Sequence, residues 1–217
     1  MRVLLLGGTG RTGKLVLNLA IDNRFKVHCV ARNPAALKSH KLLTIFEGSP
    51  EDSELLQSAA VGCDAIISVL NISRKSDFPW SPLRTPNDFL SETISKMISI
   101  AEKEKIKRIV VCSAWGVGET KKEIPFWFRW LIACSNIGIA YKDHEKQEKL
   151  IIDSNLDWTI VRPTGLTNSK RKQHVKETYQ NKPKPSLMIS RFAVARYMID
   201  ALQKKELFKK TVTISKA

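Results

Sequence analysis

No apolar run in this 217-residue chain approaches the roughly 20 consecutive residues that a membrane-crossing helix needs. The first residues read as a strand rather than as a basic, then apolar, then small-residue leader, so no signal peptide is expected. The four cysteines, Cys29, Cys63, Cys112 and Cys134, lie far apart and form no C-x-x-C pair. Most fall in expected strands, so they read as buried free thiols of a reducing compartment, and a cytoplasmic location is expected. No histidine, cysteine and carboxylate grouping has metal-ligand spacing, which argues against a metal site. Internal repeats, linkers and tails are missing as well, and the length suits one domain spanning 1–217.

Acid is also scarce. The net charge is +15, with Lys and Arg outnumbering Asp and Glu 16 to 11 over residues 1–108 and 20 to 10 over 109–217. A basic surface attracts nucleic acid, anionic membrane or a phosphorylated cofactor. Lysine dominates the excess here, so a solvated surface is expected in preference to a nucleic-acid site.

What is present begins at the start of the chain. The apolar run Val3-Leu4-Leu5-Leu6 leads into Gly7-Gly8-Thr9-Gly10-Arg11-Thr12-Gly13, and a stretch with helical apolar spacing, 14–20, follows. Strand, glycine turn and helix start in that order mark a dinucleotide site. Early glycines let backbone N–H groups approach a pyrophosphate, and the last lets the helix pack close to the strand. Gly7, Thr9, Gly10, Arg11, Thr12 and Gly13 are therefore candidate cofactor residues. A second strand, Lys26–Ala31, ends at Arg32, about 20 residues past the glycines, where an NAD enzyme carries a ribose-binding acid. A guanidinium there binds a 2′-phosphate that a carboxylate would repel, and Arg11 could reach the same group. NADP(H) is thus favoured over NAD(H); the competing reading of Arg32 is a cap on the turn before Pro34.

The rest of the chain alternates. Strands are expected at 42–46, 63–70, 108–112, 156–163 and 211–214, and helices at 51–60, 88–104, 141–154 and 191–203. This order predicts an α/β fold: a doubly wound parallel sheet with helices on both faces. Ligands then sit outside the carboxyl ends of the strands. That edge collects Leu70 and Asn71, Ser113, and Pro163 with Thr164. Ser113 can hydrogen-bond a substrate oxygen or a cofactor amide, or simply cap its turn. Two segments, 119–141 and 164–190, are expected to be irregular and to face the substrate. Within the first, Phe126–Leu131 concentrates aromatics and leaves three readings open: a helix packed on the core, the wall of an apolar pocket, or a membrane- or partner-binding patch. Within the second, 168–185 holds six cations against Glu177 alone and reads as a mobile basic loop, either over the site or simply solvated.

The glycine motif, the serine after strand five and the stretch Ser154-Asn155-Leu156-Asp157-Trp158-Thr159-Ile160-Val161-Arg162-Pro163 together resemble the atypical short-chain dehydrogenase/reductases. The nearest branch is the NmrA-like and biliverdin (flavin) reductase B-like proteins. The resemblance covers almost the whole chain and implies a Rossmann-like fold. The group includes NADPH-dependent flavin, biliverdin or quinone reductases, isomerase-like enzymes, and sensors that bind NADP without turnover. Such a reductase would pass hydride to a flat conjugated acceptor; a sensor would use a protein partner instead.

Two departures stand out. Short-chain reductases use Tyr-x-x-x-Lys, in which the lysine lowers the tyrosine pKa. With Glu148 aligned to the glutamate of the family's K-x-x-A-E helix, the lysine position holds His144 and the tyrosine position Ala140, with Tyr141 one residue out of register. Tyr141 and His144 are the candidate proton donors beside Ser113. The competing reading of His144 is a surface histidine between Asp143 and Glu145. Glu47-Gly48-Ser49 stands where many relatives have Gly-Asp, so an adenine contact is expected to weaken or to pass to Ser49.

Overall fold

The computed structural model describes residues 1–169 and 173–217. Its centre is β1 (Arg2–Leu6), all but one of whose residues are buried. Alternate side chains of a strand face opposite ways. Val3 and Leu5 enter one core, with α1 (Arg11–Asp22), while Leu4 and Leu6 enter another. A strand buried on both faces explains why β1 is apolar without a break.

The chain builds outward in both directions from β1. On one side lie β2 (Lys26–Ala31) and β3 (Leu43–Glu47). Helix α2 (Ser53–Ala60), capped by the Asp52 carboxylate accepting from the amides of Glu54 and Leu55, then returns the chain to β4 (Ala65–Ser68) on the other side of β1. Beyond β4 come α3 (Phe89–Lys103) and β5 (Arg108–Cys112), then α4 (Phe126–Ala133), α5 (Ile137–Ile152) and β6 (Asp157–Pro163). Three short strands follow: β7 (Gly165–Thr167), β8 (Val175–Thr178) and β9 (Met188–Ser190). Helix α6 (Arg191–Ala201) and β10 (Lys210–Lys216) complete the fold.

The eight-stranded sheet runs β3-β2-β1-β4-β5-β6-β10-β8, parallel except for β8 against β10. Helices α1 and α6 cover one face, and α2, α3 and α5 the other. The expected doubly wound α/β architecture is present, with strand order reversing between β1 and β4. Ligand crevices form at such a reversal.

Buried polar groups tie the layers together. The Asp143 carboxylate, on α5, accepts from the amides of Leu90 (2.7 Å) and Ser91 (3.2 Å), so one helix caps the start of another. Arg108, at the start of β5, donates to the carbonyls of Ala201 and Leu202 at the end of α6. Burial pulls its guanidinium down to about 10, still charged at neutral pH.

Three expectations are corrected. The segment 168–185 is not a basic loop throughout: Lys176 lies in β8, opposite Ser215 of β10. Lys170, Arg171 and Lys172, which weighed in that reading, lie outside the described residues. The expected irregular segment 119–141 contains α4 and the first turn of α5, four residues earlier than the tyrosine expected to begin that helix. Cys134 is exposed rather than buried, because it caps the C-terminal end of α4 instead of lying on a strand.

Candidate functional site

The glycine loop turns on backbone geometry that other residues resist. Gly7 has φ +84°, a left-handed conformation, and a Cβ on it would stand 3.0 Å from the Val69 carbonyl. A Cβ on Gly13 would stand 1.9 Å from the Gly7 oxygen, so α1 packs on the loop with no space for a side chain. Gly10 bonds back to the Gly7 carbonyl (3.0 Å) and serves as N-cap of α1. The first turn of α1 carries no acid, which leaves its positive end facing outward.

A cleft of about 550 Å³ opens over this loop. Gly7, Thr9, Gly10, Arg11, Thr12, Gly13, Arg32, Leu70 and Asn71 all line it, so nine expected residues meet in one place. Arg32 stands at the tip of β2, exposed. Arg74, Arg84 and Arg191 join Arg11 and Arg32, giving five guanidinium groups around one acid, Asp77. Arg11 grips Asp77 with two hydrogen bonds (2.7 and 3.0 Å), bridging the glycine loop and the 71–87 segment. Those bonds and the Arg11 charge hold the Asp77 carboxyl below its usual range. The Ser49 hydroxyl donates to Glu51 (3.0 Å), and the neighbouring Pro50 lines the cleft.

A second cleft, of about 720 Å³, adjoins the first and shares Leu70, Asn71, Arg74 and Arg191 with it. Ser113, Tyr141, His144, Pro163 and Thr164 line it, with Trp115 and Phe128 as aromatic wall. The hydroxyls of Ser113 and Thr164 are buried and meet no hydrogen-bond partner among the described residues. An unpaired buried hydroxyl costs about 1–3 kcal/mol. In a cleft wall, such a group can be satisfied by a ligand.

Tyr141 donates to the Trp115 carbonyl at 3.2 Å, and burial raises its pKa. It is a weaker acid than an ordinary tyrosine. His144 is not the surface residue of the competing reading; it is 4% exposed. Burial pulls its imidazole from 6.5 down to about 4, so it is neutral at pH 7. The Gln147 side-chain amide lies 3.3 Å from His144 Nδ1, and the neutral ring carries a single N–H. His144 therefore offers an N–H without charge, not the imidazolium expected of a neutral-pH acid.

This depressed pKa sets a pH dependence. Between pH 6.5 and 4 the unfolded chain binds the extra proton and the folded chain does not, so stability rises with pH there. The contribution, on the order of 3 kcal/mol, is complete above pH 6.5 and lost as pH falls toward 4. Urea unfolding across this window should show a steeper fall for the native protein than for His144→Gln; parallel curves would reject the assignment.

The α4 segment meets two of its three readings, core packing and pocket wall. Ile132 packs with Trp115 and Ile124, Phe128 walls the second cleft, and Phe126, Trp127 and Trp130 face outward. Sequence reasoning missed Arg74, Arg84, Arg191 and Ile137 as lining residues. Arg74 and Arg84 were legible only as charges in a proline-rich loop.

A parallel sheet with a glycine-loop cleft at its strand reversal defines a dinucleotide-binding α/β protein. The chain belongs to the NAD(P)H-binding family, whose model matches residues 7–205. An oxidoreductase of Pestalotiopsis microspora is 27% identical over 214 residues, covering 90% of this chain and 77% of that protein. Among solved structures, a short-chain dehydrogenase/reductase from Veillonella parvula in complex with NADP is similar in fold, with TM-score 0.81 and 17% identity over 99% of this chain and 94% of that one. An anaerobilin reductase from Escherichia coli O157:H7 has TM-score 0.79 and 20% identity over 100% and 97%. No helix among the described residues is long and apolar enough to cross a membrane.

Proposed function

We propose that the protein is an NADPH-dependent reductase that delivers hydride to a flat, conjugated acceptor of flavin, quinone or tetrapyrrole type. The observation that carries this reading is the pair of adjoining clefts, one glycine-lined and rich in arginine, the other aromatic-walled with two unpaired hydroxyls. The bound cofactor supplies the hydride, and the protein supplies binding, orientation and exclusion of water. The amides of the glycine loop and the start of α1 hold the pyrophosphate. Arg32 and Arg11 hold the 2′-phosphate, and Ser113 and Thr164 hydrogen-bond the reacting partners. The similarity to an oxidoreductase and to an NADP-bound reductase fold supports the assignment.

The acids of the second cleft support this acceptor class. Tyr141 is held as a weak acid and His144 is neutral, so no strong proton donor faces the second cleft among the described candidates. Flavins and quinones need little acid assistance, because their reduced forms take protons from water. The same observation favours a second reading, an NADP-binding sensor without turnover.

NADPH consumption followed by absorbance against flavins, quinones and a linear tetrapyrrole separates the two, with cofactor binding measured in parallel. Turnover well above the protein-free rate supports the reductase; tight binding without oxidation of any acceptor supports the sensor. Arg32→Asp removes charge-assisted hydrogen bonds and adds repulsion, about 2–4 kcal/mol, so NADPH affinity should fall roughly 30- to 1000-fold. NADH affinity should change only a few-fold in the same titration. Equal losses would remove Arg32 from the 2′-phosphate site.

A further inference from the structure

Helix α4 is apolar on two faces, and only one of them is covered. Phe128 and Ile132, four residues apart, face the interior. Phe126, Trp127 and Trp130 lie on the other side, 75, 62 and 55% exposed. Phe78 and Trp80, at the tip of the 71–87 segment, are 61 and 44% exposed, with ring centres 5.3 Å apart. The two stretches are fastened together. Trp80 Nε1 donates to the Cys134 carbonyl (2.7 Å), and Asn136 donates through its amide to Pro79 (3.1 Å) and through its side chain to Trp80 and Ser81. Five large exposed aromatics thus lie on two stretches held together, which is more than singly scattered apolar residues explain.

The charge around this surface is mainly positive, with seven Lys and Arg against three acids over 71–87 and 118–142. Lys75, Lys121, Lys122 and Lys142 are exposed in the same stretches. The acids of 71–87 and 118–142 each have a partner: exposed Asp77 with Arg11, exposed Glu119 with Arg162, and Glu123 with the Trp115 indole. Behind α4 lies a cavity of about 320 Å³ lined by Lys121, Arg129 and Lys142, with Glu145 as its one acid among the described residues. Arg129 Nε is buried and has no hydrogen-bond partner among the described residues.

We propose that α4 and the Phe78–Trp80 tip form a docking surface for a membrane containing anionic phospholipid. Aromatic side chains at the headgroup boundary with flanking lysines are the chemistry of interfacial helices. At eight residues, α4 is about 12 Å long, suited to lying in the plane of a bilayer rather than crossing it. The excess of exposed lysines over acids in these stretches complements anionic headgroups, each lysine adding attraction that salt screens.

The test uses the full chain and vesicles of phosphatidylcholine alone or mixed equally with phosphatidylglycerol. Co-sedimentation should be at least about 10-fold stronger with the mixed vesicles and should weaken as salt rises. Brominated lipid should quench tryptophan fluorescence. Combining Phe126→Ser, Trp127→Ser and Trp130→Ser should lower partitioning about 10-fold or more, with the circular dichroism spectrum and NADPH affinity unchanged. Lys121→Glu with Lys122→Glu should lower it while leaving every aromatic in place, and it decides the matter if the triple variant misfolds. Equal binding to neutral vesicles, or native-like binding by both variants, would overturn the proposal. So would a concentration-dependent dimer that the triple variant disperses, in a protein that ignores vesicles; that result would assign the surface to a second copy.

Discussion

Glu148→Ala should lower the free energy of unfolding by about 3–5 kcal/mol, the cost of stranding a buried charge. Arg162, on β6, is 3% exposed by side chain, and Glu148, on α5, is 4% exposed. Arg162 Nε and Nη2 reach the two Glu148 oxygens at 2.9 and 2.5 Å, a two-pronged pair. Burial alone would pull the Arg162 pKa down; bonds to Glu148 and Glu119 outweigh it and raise the pKa. Glu119 contacts the same guanidinium, but its side chain is 71% exposed. Water can replace Glu119 and cannot replace Glu148, so Glu119→Ala should cost no more than about 1 kcal/mol. Replacing both buried partners, Glu148→Leu with Arg162→Met, should recover most of the single-variant loss, because no charge is then left unpaired. Urea unfolding at neutral pH measures all three. A Glu148→Ala loss no larger than that of Glu119→Ala would show that the pair does not anchor α5 to the sheet. The pair also bears on the site, since α5 carries Tyr141 and His144 to the cleft that Ser113 enters from β5.

The sheet was legible because burial on both faces forces unbroken apolar runs. Lys26–Ala31 and Arg108–Cys112 match β2 and β5 residue for residue. Where a strand has one covered face or lies at an edge, that signal fades. β8, Val175-Lys176-Glu177-Thr178, pairs only with β10, so its lysine and glutamate are tolerated and its charge reads as loop. Helix α4 stayed one reading among three for the opposite reason. Its run Phe126-Trp127-Phe128-Arg129-Trp130-Leu131 is apolar all round, and a helical period shows only against polar positions.

The glycine-loop residues were legible because backbone constraint dictates residue type over a short span. Arg74, Arg84 and Arg191 reach the same cleft from 60 to 180 positions away, and no local pattern marks such convergence. His144 shows the limit most clearly. Its neighbours Asp143 and Glu145 suggest a wet helix face, yet Asp143 is buried beneath the start of α3, whose amides replace water around its carboxylate. A buried acid satisfied by backbone donors looks the same in sequence as an exposed one.

Gly13→Ala should lower NADPH affinity about 100-fold or more and cost about 1–3 kcal/mol of stability, the usual penalty for forcing an atom into filled space. The added carbon would sit 1.9 Å from the Gly7 oxygen, 2.8 Å from the Gly7 carbonyl carbon and 2.9 Å from Gly8 Cα. All three are backbone atoms, so no rotamer change relieves the overlap. Either α1 lifts from β1 or the glycine loop shifts, and both move the amides that would meet the pyrophosphate. Gly10→Ala is the control. Its carbon would meet the Gly7 oxygen at 3.3 Å, which a few tenths of an ångström relieves, so affinity should fall only a few-fold. Cofactor titration and urea unfolding of the two variants compare the same chemical change, one methyl group, at sites three residues apart. Native affinity in Gly13→Ala would mean that the cofactor does not rest on this loop. A comparable loss in both variants would mean that the loop tolerates no movement at all, and that close packing of α1 is not the property that matters.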